Sequence, residues 1–560
     1  LSQKNSSWVY TLNQISPSAV AYDKTQATYQ IESYRQAPDG TKQDVAWKVI
    51  GYSVDNGTTW TTTKPSWLKS LSKEQSNGGT AAEQLTATLG TDIVDLLAQR
   101  NKGLQEATPL GNSSTYYNLS NATGAAAVQN TANCYVISAP GYYMIPLVYG
   151  NAIKNSQTNS NAYISRAPVT KLQFGTTTTI KDVILHNFVD HQSAKITSPW
   201  IEKTNGGANN GIDGAEVTWS DESNLVELAN SPIYHDASGN AFVKFEVKKD
   251  NLKSGNAVIS VKKGNTILWS WHLWFAPKNA LDKITVTNNQ GKKYDFTRET
   301  LGWKPTKWIG TSYSTPRTVK VKVEQVVGNN GNKQNAIITI TQNAGLTKKS
   351  GTTTLYQWGR NNAFPGTDAS LPQGIIYSSR EDINMNNKIQ KPNYFFTTNI
   401  LANETIAPND GVTRLHYFYN LWSMDNNHRG DINAPNNIDV VKTIYDPCPV
   451  GFNVPTNGAF SGFTTSTTNG TNVPATFELN SGHIFWVNSS HTESIYFPAS
   501  GFRNAKDAIL KDALTSGNYW SADPQDYNNG CAMGFNETEI RPLFRNIRTY
   551  GFAVRPVAEK

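Results

Sequence analysis

Hydrophobic and polar residues alternate over many short stretches of the chain, which is the pattern of strands that bury one face. Residues 28–34 (TYQIESY) alternate in this way, and residues 317–323 (RTVKVKV) place three valines on one face and two lysines on the other. Residues 267–274 (ILWSWHLW) place two tryptophans and a leucine on one face. Because polar turns separate such strands, the pattern predicts a mainly β protein built from sandwiches.

Two further patterns concern turns and helices. The Pro140-Gly141 pair separates the apolar runs 131–137 and 142–151, which predicts a hairpin of largely buried strands. Residues 81–85 and 92–98 are compatible with short helices in a linker.

Composition agrees with a β-rich protein and excludes several functions. Charged residues make up only 17% of the chain, and aromatic residues make up 11%. The formal charge of +7 is spread without any run of five basic residues, so we expect no nucleic-acid binding. No apolar run approaches the length of a membrane span. The chain starts at Leu1 without a signal sequence, so we expect a mature chain that has lost a leader or a lipid-anchor cysteine.

Prolines and a glycine punctuate residues 444–456 (IYDPCPVGFNVPT). Pro447 and Pro449 fix their own φ and push the preceding residues into extended conformations, so this segment is neither a helix nor a central strand. We therefore expect a rigid connection of defined shape. Two more segments follow it, GNYWSA at 517–522 and the alternating YGFAVRPV at 550–557.

These three segments, in this order, resemble the Fibrobacter succinogenes major paralogous domain of Bacteroidetes surface proteins. The family pattern is D-P-C-P-x-G-W-x-V-P-T, then Y-W-S, then G-x-x-V-R. This chain departs from it at Phe452, at Asn453, and at Pro556, where many members have cysteine. The resemblance covers the C-terminal third, from 355–360 (LYQWGR) onwards. It implies an α+β domain of the C-type-lectin-like fold and an extracellular location.

The remaining segments suggest stalk or assembly modules. The first 70 residues resemble small immunoglobulin-like modules of Bacteroidetes surface proteins, and the set ANCYV, PLVYGNA and WSWHLW resembles a module of Bacteroidales fimbrial and adhesin proteins. We therefore predict tandem immunoglobulin-like and β-sandwich domains followed by the C-type-lectin-like domain. The predicted boundaries are 1–109 (immunoglobulin-like domain with linker), 110–277 (β-sandwich), 278–348 (small immunoglobulin-like domain) and 349–560 (C-type-lectin-like domain).

The three cysteines are too scattered for a zinc cluster, and their odd number leaves at least one free thiol. With Pro556 in place of the usual partner, Cys448 could pair with Cys531, the only other cysteine of the C-terminal domain. The sequence leaves this pairing open. Such a bridge would contribute on the order of 2–4 kcal/mol.

Nothing in the sequence points to catalysis. There is no nucleophile elbow, phosphate-binding loop or zinc-protease motif. His186 and His191 are five residues apart, which directs them away from each other on either a strand or a helix. We therefore assign no catalytic residue and no metal ligand. A paired-carboxylate glycosidase stays open, because its two acids need not be neighbours in the sequence.

The candidate binding residues lie within 417–431. Tyr417, Tyr419 and Trp422 could offer flat faces to sugar rings, although their spacing favours core packing. Asp425 and Asp431 bound an oxygen-rich loop, DNNHRGD, that could bind calcium. The loop lacks EF-hand periodicity and the signatures of calcium-dependent lectins, so a solvated loop is favoured. The embedded Arg-Gly-Asp receives no role.

Together these features predict a non-enzymatic cell-surface adhesin, a fimbrial tip or accessory subunit with a C-terminal binding head. Its expected partners are other pilus subunits or surface proteins and a host or bacterial protein or glycan, with an outer-membrane lipid anchor as one means of attachment. The alternative is a surface glycan-binding lipoprotein that serves polysaccharide uptake.

Overall fold

The computed structural model describes most of the chain. The described residues are 7–168, 170–173, 180–345, 348–368, 377–379, 384–397, 405–406, 414–415, 418–464, 475–478, 481–487, 492–526 and 528–560. Strands contain 45% of the residues and helices 7%, which confirms the prediction of a mainly β protein. Neither α-helix in the described part of the chain has the length and apolar character that a membrane span requires.

The strands are numbered along the chain. The first half contains β1 (Val9–Ile15), β2 (Gln26–Gln36), β3 (Lys42–Asp44), β4 (Trp47–Ser53), β5 (Leu68–Leu71), β6 (Gln75–Ser76), β7 (Gly79–Leu89), β8 (Ile93–Asp95), β9 (Tyr117–Asn118), β10 (Cys134–Ile137), β11 (Gly141–Pro146), β12 (Ile153–Lys154), β13 (Gln157–Thr158), β14 (Lys171–Gln173), β15 (Ile180–Asp182), β16 (Gly214–Ser220), β17 (Glu227–His235), β18 (Ala241–Val247), β19 (Gly255–Lys263) and β20 (Thr266–Phe275).

The second half contains β21 (Lys283–Thr287), β22 (Lys293–Thr297), β23 (Lys304–Thr311), β24 (Arg317–Gln325), β25 (Asn335–Gln342), β26 (Lys348–Thr352), β27 (Tyr356–Gln357), β28 (Tyr377–Ser379), β29 (Tyr394–Phe396), β30 (Thr405–Ile406), β31 (Arg414–Leu415), β32 (Phe452–Asn453), β33 (Ala475–Glu478), β34 (Gly482–Trp486), β35 (Ser494–Pro498), β36 (Phe502–Arg503), β37 (Leu510–Lys511), β38 (Ser516–Pro524), β39 (Asn529–Asn536), β40 (Ile540–Ile547), β41 (Gly551–Phe552) and β42 (Val557–Ala558). The α-helices are α1 (Leu96–Glu106) and α2 (Met385–Gln390).

The chain forms two compact units, and each combines segments that are distant in the sequence. Residues 1–96 and 308–348 form unit 1, and residues 97–307 and 349–560 form unit 2. Each unit therefore combines segments that the sequence analysis assigned to different domains. Alternation identifies a strand but not its partner, so pairing between distant segments leaves no local signal.

The core of unit 1 lies between strands of a five-stranded sheet, ordered β1-β2-β7-β5 with β3 paired to β2, and a four-stranded sheet, ordered β25-β24-β4-β6. β24 pairs antiparallel with β4, with Val321 opposite Tyr52, so a strand assigned to the third predicted domain completes the first one. Val319, Val321 and Val323 are fully buried in a core shared with Trp47. This confirms that the valine face of β24 is the buried face, as the alternation of valine and lysine predicted.

Residues 81–85 form part of β7 rather than a helix. Leu85 lies opposite Tyr29 on β2 and is buried. The cross-strand partner outweighs the helix preference of this Ala- and Glu-containing segment, because strand stability depends on packing against neighbours.

Unit 2 contains a pair of four-stranded sheets, β10-β20-β19-β16 and β17-β18-β11-β9, that contribute to one core. β10 and β11 lie in different sheets, so the predicted hairpin at Pro140-Gly141 is wrong. The chain instead crosses from one sheet to the other there. Two consecutive buried strands look alike in sequence whether they pair with each other or face each other across a core.

The last strand of the chain ties the C-terminal segment to the middle of the sequence. β42 pairs with both β22 and β32, with Val557 opposite Phe296 and Asn453. The proline-rich connection and the closing segment therefore belong to the same compact unit.

Candidate functional site

The proline-rich connection is held by two buried charged side chains. Asp446 accepts hydrogen bonds from the backbone N–H of Cys448 at 2.7 Å and of Val454 at 2.9 Å. Burial raises the pKa of Asp446 to about 6. Lys442 Nζ donates to the carbonyl oxygens of Cys448 at 3.2 Å and Pro449 at 2.9 Å. Both side chains therefore fix the shape of this turn.

The other two motif segments are also structural. The Trp520 ring stacks on Phe552 with centroids 4.3 Å apart, and its Nε1 donates to the carbonyl oxygen of Tyr356 at 2.7 Å. The guanidinium of Arg555 donates to the carbonyl oxygens of Thr297 and Tyr496 at 2.9 and 2.6 Å. Burial lowers the pKa of Arg555 to about 10. These residues hold distant segments of the chain together.

The aromatic candidates that the structure describes lie in the core. Tyr419 is 2% exposed and packs against Val183 and Ile184. Trp422 is fully buried, and its Nε1 donates to the carbonyl oxygen of Tyr445 at 3.0 Å. Neither ring offers a face to solvent, so the assignment of these two residues to ligand binding is corrected. Tyr417 lies outside the described residues.

The two acidic candidates lie on the surface, in a segment that we call the 425–439 loop. Asp425 and Asp431 are exposed. Asp431 Oδ1 accepts from Asn433 N at 2.7 Å, and the Asp431 carbonyl oxygen accepts from Asn457 Nδ2 at 3.0 Å. In the described part of the chain no three His, Cys, Asp or Glu side chains group together as metal ligands would.

The first part of the loop is bonded to the end of β38. Asn426 Nδ2 donates to the carbonyl oxygen of Ala522 at 2.8 Å, and Gly430 N donates to that of Pro524 at 2.6 Å. A Cβ atom at Gly430 would lie 2.7 Å from the Pro524 oxygen, so only glycine fits there. Gly430 of the Arg-Gly-Asp tripeptide thus lies against the end of β38, while the side chain of Arg429 is exposed.

The last part of the loop is bonded to a buried carboxylate that the sequence analysis did not identify. Asp523 accepts from Asn436 Nδ2 and, at 2.6 Å, from Asn457 N. Burial raises the pKa of Asp523 to about 6. Its position two residues after the Y-W-S motif was the available signal, but nothing in the local sequence shows that it contacts residues 436 and 457.

The three cysteines are unpaired in the structure, including the two whose pairing the sequence left open. Cys134, Cys448 and Cys531 are all buried free thiols, so the structure contains no Cys448–Cys531 bridge. Cys531 Sγ lies beside Gly430. Cys448 instead adjoins Cys134, which forms an isolated bridge with Pro449. No pattern in the sequence indicates that two cysteines so far apart in the chain lie close together.

A group of partly exposed tyrosines was also missed. Tyr116 and Tyr142 pack edge to face, with centroids 5.6 Å apart. Lys244 Nζ lies 3.8 Å from the ring centre of Tyr234 and 4.5 Å from that of Tyr116. We call these four residues the tyrosine cluster. Tyr142 belongs to a strand that the sequence predicted to be largely buried, and its side chain lies on the outer face.

Comparison with known proteins gives one result. Residues 477–557 match a family described as "Domain of unknown function (DUF8237)". No curated protein and no solved structure matches the chain. The matched segment contains β38 and the closing residues through Val557, so it includes the strand that anchors the 425–439 loop.

Proposed function

We propose that this protein is a non-enzymatic cell-surface adhesin, a fimbrial tip or accessory subunit located on the outer membrane or in a fimbrium. Residues 349–560 provide a binding head of the C-type-lectin-like type, and immunoglobulin-like segments support it. The observation that carries the proposal is the anchored 425–439 loop. It presents polar side chains on a fixed backbone.

The exposed side chains of this loop include Asp425, His428, Arg429 and Asp431. The loop that carries them is held in place by hydrogen bonds from Asn426 to Ala522, from Gly430 to Pro524 and from Asn436 to Asp523. A loop fixed by a rigid scaffold loses little conformational entropy on binding, which is why recognition residues are commonly found on such loops. The mixture of acidic and basic groups suits a polar protein or glycan surface.

The proposal is tested with the full chain on a glycan array and in pull-downs of pilus subunits from cells that display it. We expect the double variant D425N/D431N to lose at least tenfold in affinity for the ligand found. The control D250N/E537Q removes two charges from exposed acids elsewhere in unit 2 and should bind within twofold of the parent. A protein that is absent from the cell surface and recovers no pilus subunit would refute the proposal.

The alternative is a glycan-binding surface lipoprotein for polysaccharide uptake. It is favoured by the tyrosine cluster. Glu246 lies opposite Tyr142 on the neighbouring strand, and ring faces beside a cation and a carboxylate suit a sugar. This alternative requires binding of a soluble polysaccharide by the full chain, with loss of binding in Y142A/Y234A and no loss in D425N/D431N. The adhesin proposal requires the opposite response from these two variants.

A further inference from the structure

The backbones at Cys134 and Cys448 lie next to each other, although 313 residues separate them in the chain. Cys134 forms a parallel bridge with Pro449, the residue after Cys448. Asn133 Nδ2 donates to the carbonyl oxygens of Ile444 at 2.6 Å and Asp446 at 2.8 Å. Contacts on both sides of the pair therefore fix its separation.

The two thiols also share their surroundings. Both side chains are fully buried in the same core. Lys442, bonded to the carbonyl oxygen of Cys448, lowers the pKa of each thiol, although burial outweighs it and raises both pKa values. Burial raises the pKa of the Tyr356 hydroxyl well above its usual value, and both Cys134 and Cys448 raise this pKa further. Cys531, in contrast, lies next to Gly430 beneath the 425–439 loop.

We propose that Cys134 and Cys448 form a disulfide when the chain folds in an oxidising compartment, and that Cys531 stays a free thiol. Cys134 lies opposite Pro449, one residue from Cys448, and a disulfide needs two Cα atoms about 4.4–6.8 Å apart. The bond would join β10 to the proline-rich connection.

The oxidant is a small disulfide or an oxidised dithiol protein. The Cys134 thiolate attacks one sulfur of that disulfide, forms a mixed disulfide and releases a thiol. The Cys448 thiolate then attacks the Cys134 sulfur, which forms the Cys134–Cys448 bond and releases the second thiol. The two protons and two electrons lost by the cysteines are thus carried away by the two thiols formed from the oxidant.

Burial determines when this reaction occurs. The raised pKa values leave little thiolate in the folded protein, so oxidation is slow once the core has closed. Cys134 lines a cavity of about 340 Å³ together with Val136 and Val450, which gives a slow route for a small reagent. We expect fast bond formation during refolding and slow formation in the native protein.

The test is thiol counting on the denatured full chain after refolding with glutathione disulfide. We expect one free thiol in the parent chain, two each in C134S and C448S, and none in the control C531S, since the chain has three cysteines. Peptide mapping of the parent should find residues 134 and 448 cross-linked. Three free thiols in the parent, or a cross-link that includes Cys531, would overturn the proposal. Thiol counting and peptide mapping of the parent chain test the disulfide even if a serine variant fails to fold.

Discussion

Arg555 Nε donates a hydrogen bond of 2.9 Å to the carbonyl oxygen of Thr297, which lies 258 residues earlier in the chain. The same guanidinium bonds to the carbonyl oxygen of Arg298 at 2.7 Å and to Thr300 Oγ1 at 3.1 Å. Its partners are neutral oxygens, and no carboxylate is bonded to it among the described residues. The arginine of the closing segment is therefore a clamp that completes unit 2.

Substitution of this arginine should destabilise unit 2 strongly. R555M keeps most of the side-chain volume but leaves several buried carbonyl groups without a donor, so we expect a loss of about 3–5 kcal/mol in the free energy of unfolding. The control R541M removes an exposed arginine whose ion pair with Glu539 is 3.6 Å long, and it should cost at most about 0.5 kcal/mol. Urea unfolding followed by near-ultraviolet circular dichroism measures both. Equal stabilities of the two variants would contradict the clamp.

The C-terminal segment should not fold when it is separated from the middle of the chain. A fragment of residues 349–560 lacks β22, the partner of β42, and lacks Trp219, whose Nε1 donates to the carbonyl oxygen of Ala363 at 3.0 Å. We expect this fragment to show no protected amides in hydrogen exchange, whereas residues 97–560 together show a protected core in unit 2. A folded isolated fragment would restore the autonomous head that the sequence predicted.

The sequence predicted local features well where one residue pattern decides one feature. Alternation at Val319, Val321 and Val323 identified the buried side of β24, because the pleat directs every second side chain to the same face. The two prolines around Cys448 identified a rigid connection, because their φ angles are fixed by the ring. Both features are determined by the local sequence and do not depend on the rest of the chain.

The sequence failed where a feature depends on distant partners. The placement of β24 beside β4 and of Cys134 beside Cys448 follows from tertiary pairing, which leaves no periodic signal. The candidate site residues likewise fall into two groups, which differ in burial. Asp425 and Asp431 proved exposed, while Tyr419 and Trp422 proved buried, since an aromatic residue in a turn-rich segment suits both a core and a binding surface.

Asp523 should make stability depend on pH between about 4 and 6. Its pKa is raised from 3.8 to about 6 in the folded protein, so in this range the folded state holds a proton that the unfolded state has released. Stability from this group is therefore complete below pH 4, falls as the pH rises to 6 and is constant above it. The difference between the two pKa values corresponds to about 3 kcal/mol in the free energy of unfolding.

The variant D523N isolates this contribution, because asparagine does not titrate. We expect the parent chain to lose about 3 kcal/mol relative to D523N between pH 4 and pH 6.5 in urea unfolding experiments. The control D250N, at an exposed acid, should follow the parent within about 0.5 kcal/mol. A parent chain that gains stability relative to D523N over this range would show that Asp523 ionises more easily than burial implies.

Gly430 connects the shape of the 425–439 loop to binding. The variant G430A would place a methyl group 2.7 Å from the Pro524 oxygen and 2.8 Å from Cys531 Sγ, distances that no carbon atom tolerates. The loop must then move off β38, and we expect a cost of about 1–3 kcal/mol together with faster exchange of the Gly430 amide. The control G103A lies in α1, where a Cβ atom meets nothing within 4 Å, so stability should be equal or higher by up to about 1 kcal/mol. If the adhesin proposal holds, G430A also loses affinity for the ligand of the loop, although Asp425, His428, Arg429 and Asp431 all remain present. If G430A displaces the loop but binds the ligand with unchanged affinity, then binding does not depend on the fixed position of the loop backbone.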